Sequence, residues 1–139
     1  MATSLTTRGS PYEPLRVLSA EAVLQQMRSN VPLTVLDVRD RPQFQVSGVI
    51  AGARAIPLVQ LSARLEELAG ARATPVVVVS QMARRAVAAV LELQAAGFAE
   101  VFLLDGGMER WRELGYPVEQ RRDSTPSARA INITEENKR

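Results

Sequence analysis

The chain contains no cysteine and no histidine in its 139 residues. Without a thiol it forms no disulfide, carries no thiolate nucleophile and offers no iron–sulfur or ordinary zinc ligand set. Without an imidazole it lacks the side chain that most often serves as general base and metal ligand. A site made only of carboxylates would remain, but no acidic spacing suggests one, so no metal and no cofactor are expected. Aromatic residues make up 4% of the chain, and Lys138 is the only lysine. No apolar run approaches the roughly 18 residues that span a bilayer, and the first residues carry no apolar core of a secretory signal. A cytoplasmic protein is the expectation, with peripheral attachment to a membrane through a partner left open.

What is present describes one domain. A chain of this length buries about two-thirds of its unfolded surface, and 46% hydrophobic content is incompatible with general disorder. The net charge is +2, and acidic and basic residues are interspersed from Arg16 to Glu119. Nucleic-acid binding calls for clustered cations with aromatic stacking platforms, so it is not expected here. Residues 1–14, rich in Thr, Ser, Gly and Pro, read as a lead-in. Residues 15–119 read as the domain, and 120–139 as a polar tail broken by Pro126 and carrying Ile131 and Ile133.

Within the domain, apolar strand patterns and helical patterns alternate. Ser19 reads as an N-cap with Glu21 in the first turn, followed by Ala20, Val23, Leu24 and Met27 on one face. Asn30 and Pro32 end that helix. Leu33–Val38 reads as a strand, Pro42–Val46 as a short helical turn, Gly48–Ala53 as a loop and Arg54–Ile56 as a brief strand. Leu58, Leu61, Leu65 and Leu68 mark a helix ended by Gly70. The unbroken valines of Pro75–Val79 suit a central strand covered on both faces. A helix with Ala83, Ala86, Val87, Val90 and Leu91 on one side follows, then the strand Val101–Leu104. Asp105-Gly106-Gly107 turns into a last helix with Met108, Trp111 and Leu114. The class is α/β: a central, mainly parallel sheet of about five strands flanked by helices.

The strand-to-loop-to-helix passage Ser80-Gln81-Met82-Ala83-Arg84-Arg85 stands where many α/β folds place their chemistry. Ser80 is either a loop or capping residue, or a nucleophile needing a carboxylate base, for which Asp37 is the nearest candidate. Arg84 and Arg85 fall at a helix N-terminus, which is itself positive. They are either solvated or meet an anion or an acidic partner. Gln81 and Met82 would offer a contact surface. Gly106 and Gly107 read as a tight turn rather than a phosphate loop, and Trp111 reads as core.

Asp37-Val-Arg39, Phe44 and Gly48-Val-Ile-Ala-Gly52-Ala-Arg-Ala-Ile-Pro57 resemble the paired N-terminal motifs of rhodanese-like domains. Gly97-Phe98 and Leu104-Asp-Gly106-Gly107 with Trp111 resemble the C-terminal signature of the same family, so the resemblance covers roughly residues 17–119. It implies structural roles for Asp37, Arg39, Gly52, Gly106, Gly107 and Trp111, and it places the active-site loop at Ser80–Arg85. Active members carry Cys-x-x-Gly-x-Arg there, with the cysteine accepting sulfur as a persulfide. Here serine replaces the cysteine and alanine replaces the glycine. A serine hydroxyl holds no persulfide and has essentially no alkoxide at neutral pH. The resemblance therefore implies a catalytically inactive module that binds a protein partner or a small anion, and the use of arginine over lysine with many alanines points to a bacterial source. Two other readings stay open: a subunit tethered to an assembly by its tails, and an ester or phosphate hydrolase using Ser80.

Overall fold

In the computed structural model the described residues are 15–120, apart from Met82 and the side chains of Ala83 and Arg84. The lead-in at 1–14, the tail beyond Gln120 and the contact role expected of Met82 lie outside them. The element order is β1 (Arg16–Leu18), α1 (Ala20–Arg28), β2 (Thr34–Asp37), α2 (Arg41–Ser47), β3 (Val49–Ile50) and β4 (Arg54–Ala55). Two 3-10 segments follow, Leu58–Gln60 and Ser62–Ala71, then β5 (Pro75–Val79), α3 (Ala83–Ala95), β6 (Glu100–Leu104), α4 (Gly107–Glu113) and β7 (Val118–Glu119). Five strands form one sheet in the order β1-β6-β5-β2-β4, every pairing parallel.

Local chemistry explains most of these elements. The Ser19 hydroxyl accepts the Ala22 N–H at 3.0 Å and caps α1. That helix stops at Arg28, where Asn30 takes a left-handed conformation with φ 59°. Asp40 opens α2 with a capping box whose other half is the Gln43 side chain. In β5 the side chains alternate between two cores. Val76 and Val78 face Leu61, Leu68, Val90 and Leu93, while Val77 and Val79 face Val23, Leu24, Met108 and Trp111. All four valines are buried, which is why this strand shows no polar positions. Each contributes about 1.5–3 kcal/mol of apolar burial.

Two expectations change. The segment from Leu58 to Gly70 is not an α-helix. Leu61 N–H bonds the Leu58 carbonyl and Arg64 N–H bonds the Leu61 carbonyl, both at 3.0 Å, and this three-residue winding runs past Gly70 to Ala71. Leu58 and Leu61 match that tighter period, and φ −118° at Arg64 breaks the run so that Leu68 also reaches the sheet. The stretch Gly48–Ala53 is not wholly a loop, because Val49 and Ile50 pair antiparallel with Glu119 and Val118. The pairing partner lies near the other end of the domain, so nothing local announces it. The edge strand β1 is three residues long, too short for a legible alternation. Among the described residues no helix is long and apolar enough to cross a membrane.

Candidate functional site

The C-terminal ends of β2, β4 and β5 lie side by side, since Asp37 pairs in register with both Ala55 and Val79. The residues after these strands therefore share one edge of the sheet. Behind that edge, Asp37 and Arg39 are wholly buried and joined to each other. Arg39 Nη2 donates to Asp37 Oδ2 at 2.7 Å, and Nε reaches both carboxylate oxygens at 3.0 and 3.1 Å. The Arg39 backbone N–H also donates to Asp37 Oδ1, at 3.0 Å. The remaining donors go to the Ser47 hydroxyl at 2.6 Å and to the Gly48 and Gln43 carbonyls. The guanidinium lies 5.7 Å from the centre of the Phe44 ring. This network ties β2 to both ends of α2. It also occupies the one carboxylate considered as a base for Ser80.

Ser80 leaves β5 with 1% of its surface exposed. Its carbonyl accepts the Met108 N–H at 2.8 Å, so the loop is attached to the first turn of α4. Gly106 and Gly107 make that approach possible. Both have positive φ, 80° and 61°, and a Cβ on Gly107 would sit 2.6 Å from the Ser80 carbonyl oxygen. Gln81 is exposed beside the loop, and Ala83 and Arg84 begin the backbone of α3. Arg85 is about half exposed, and its Nη1 lies 3.4 Å from Asp40 Oδ1. The cation at this helix start thus has a carboxylate beside it, contributed by the N-cap of α2.

Two of the singled-out residues lie elsewhere. Gly52 (φ 85°) sits in the turn between β3 and β4, at the opposite end of the strands from Ser80. Trp111 is fully buried on the α1–α4 face. Its Nε1 donates to the Pro117 carbonyl at 2.9 Å, and Tyr116 meets it edge-on at 5.1 Å. Sequence reasoning missed Asp40 and Met108. The first is 45 residues from Arg85 along the chain, and the second acts through its backbone, so neither leaves a local signal. Among the described residues no cluster of three acidic, His or Cys side chains is placed to hold a metal ion.

Comparison with known proteins agrees with this architecture. Residues 19–114 match the family model of the rhodanese-like domain. The chain is 34% identical to the thiosulfate sulfurtransferase GlpE of Pseudomonas fluorescens, over 61% of this chain and 74% of that protein. It is 36% identical to an HTH-type transcriptional regulator of Mycobacterium tuberculosis, over 81% of this chain and 47% of the regulator. An uncharacterized Synechocystis protein is 29% identical over 73% of this chain and 55% of its own length. The chain thus spans about half the length of two of these relatives. Among solved structures, a rhodanese-related protein of Thermoplasma volcanium superposes with TM-score 0.66 at 29% identity, covering 76% of this chain and 99% of that one. A thiosulfate sulfurtransferase of Pseudomonas aeruginosa gives 0.67 at 27% identity, covering 73% and 19% respectively.

Proposed function

Because this chain belongs to the rhodanese-like domain family and has no cysteine, we propose that it is a binding or regulatory module without sulfurtransferase activity. The observation that carries this reading is the family fold built without a thiol anywhere in the chain. Sulfur transfer in this family runs through a persulfide, and no side chain here forms one. The binding surface is the Ser80–Arg85 loop, whose ligand is an acidic protein segment or a small anion recognised by arginine. One relative is named as a transcriptional regulator and aligns over about half its length, which supports a regulatory role for such a domain. The protein works in the bacterial cytoplasm, in keeping with the bacterial source of the three protein relatives.

Two measurements test the reading. Purified protein mixed with thiosulfate and cyanide is expected to release no thiocyanate above buffer; turnover would overturn the loss of activity. Sulfate is expected to raise the melting temperature more than chloride at equal ionic strength, and Arg85→Ala to reduce that difference. An equal response to both salts would remove the anion from the proposal and leave the protein partner.

A further inference from the structure

The other end of the sheet carries a cavity. It lies away from Ser80, where β2 and β4 begin and the second 3-10 segment ends, and its volume is about 700 Å³. Met27, Val31, Leu33 and Leu68 are among its apolar walls, and Thr34 and Arg54 among its polar ones. Its size falls in the range of small-molecule sites, about 300–1,000 Å³. Val31, among the apolar lining residues, remains 45% exposed.

The charges of this cavity are unequal in their satisfaction. Glu67 also lines it, but its two carboxylate oxygens are taken by Arg64 Nε and Nη2 at 2.7 and 3.0 Å. Arg54 donates from Nη2 to the Glu67 backbone carbonyl, which is neutral, and among the described residues no carboxylate pairs with it. The charge of Arg54 also acts on the Glu67 carboxylate, but Arg64 already holds that carboxylate, so two guanidiniums share one counter-ion and the surplus positive charge favours an anionic ligand. A single arginine suits one carboxylate bidentately, whereas a phosphate group is ordinarily held by several donors. A cationic ligand would meet Arg54 with Glu67 already engaged. The apolar walls call for a hydrocarbon body on the same molecule.

We infer that this cavity binds a small amphiphilic monocarboxylate, its carboxylate on Arg54 and its hydrocarbon body against Met27, Val31, Leu33 and Leu68. The site is separate from the Ser80 loop and does not depend on what that loop binds.

The test uses the full chain with octanoate as probe and octanamide as its uncharged counterpart, followed by amide NMR titration. Octanoate is expected to bind saturably and to shift Thr34, Gly52 and Ala71 while leaving Gln81 and Arg85 in place. Octanamide and the variant Arg54→Gln are each expected to bind about tenfold more weakly, the loss of one charge-assisted contact. Val31→Trp fills the mouth from an exposed position and is expected to block octanoate with unfolding unchanged, which decides the matter if Arg54→Gln does not fold. Equal binding of octanamide, wild-type affinity in either folded variant, shifts centred on Gln81 and Arg85, or no saturable binding would each overturn the inference.

Discussion

The Met108 N–H donates to the Ser80 carbonyl at 2.8 Å, joining the end of the central strand to the first turn of the last helix. The contact is close because residue 107 has no side chain. It sets the path of the loop without using any side chain of Ser80.

Gly107→Ala is expected to displace the loop. Its Cβ would meet the Ser80 carbonyl oxygen at 2.6 Å and the Gln81 carbonyl oxygen at 3.2 Å, from a backbone at φ 61°. A loss of about 1–3 kcal/mol in urea unfolding is expected. Gly70→Ala is the control, because nothing lies within 4 Å of its Cβ position and its φ is not positive. It should be neutral or stabilise by at most about 1 kcal/mol.

Trp111 is fully buried, and Trp111→Ala is expected to cost about 3–5 kcal/mol. Trp111→Phe keeps most of the apolar volume but loses the Nε1 bond to the Pro117 carbonyl, so about 1–2 kcal/mol is expected. Denaturant unfolding of the two variants separates packing from hydrogen bonding.

Asp37 and Arg39 form a buried pair, so removing one partner strands the other charge. Asp37→Asn is expected to cost about 3–5 kcal/mol. The double change Asp37→Leu with Arg39→Met should cost less than the sum of the two single changes, measured as a double-mutant cycle. Additive losses would show that the two charges do not depend on each other.

Arg64, by hydrogen bonding first and against the cost of burial, with its own charge and that of Arg54 adding, holds the Glu67 carboxyl below the usual carboxylate range. A folded value below the unfolded one means that the contribution is present above the unfolded Glu range and is lost as pH falls through the folded value. The pair is solvent-accessible, so about 0.2–1 kcal/mol is expected. The stability difference between wild type and Glu67→Gln should be present near neutral pH and vanish in acid.

The sequence by itself determined the class of the fold and the limits of its chemistry. The valine run of β5, the Ser19 cap and the Gly106-Gly107 turn carry their signals within a few residues, because periodicity, capping and positive φ are local properties. The absence of cysteine is likewise complete in the sequence. Tertiary structure alone decided that Val49–Ile50 is a strand, that Asp40 stands beside Arg85, and that Arg54 and Glu67 line one cavity. Each of these joins chain segments separated by folding, and the winding after Leu58 followed from the need to bring both Leu61 and Leu68 onto the sheet. Local propensity does not record which distant group will satisfy a strand edge or a charge. That is settled only when packing brings the two together.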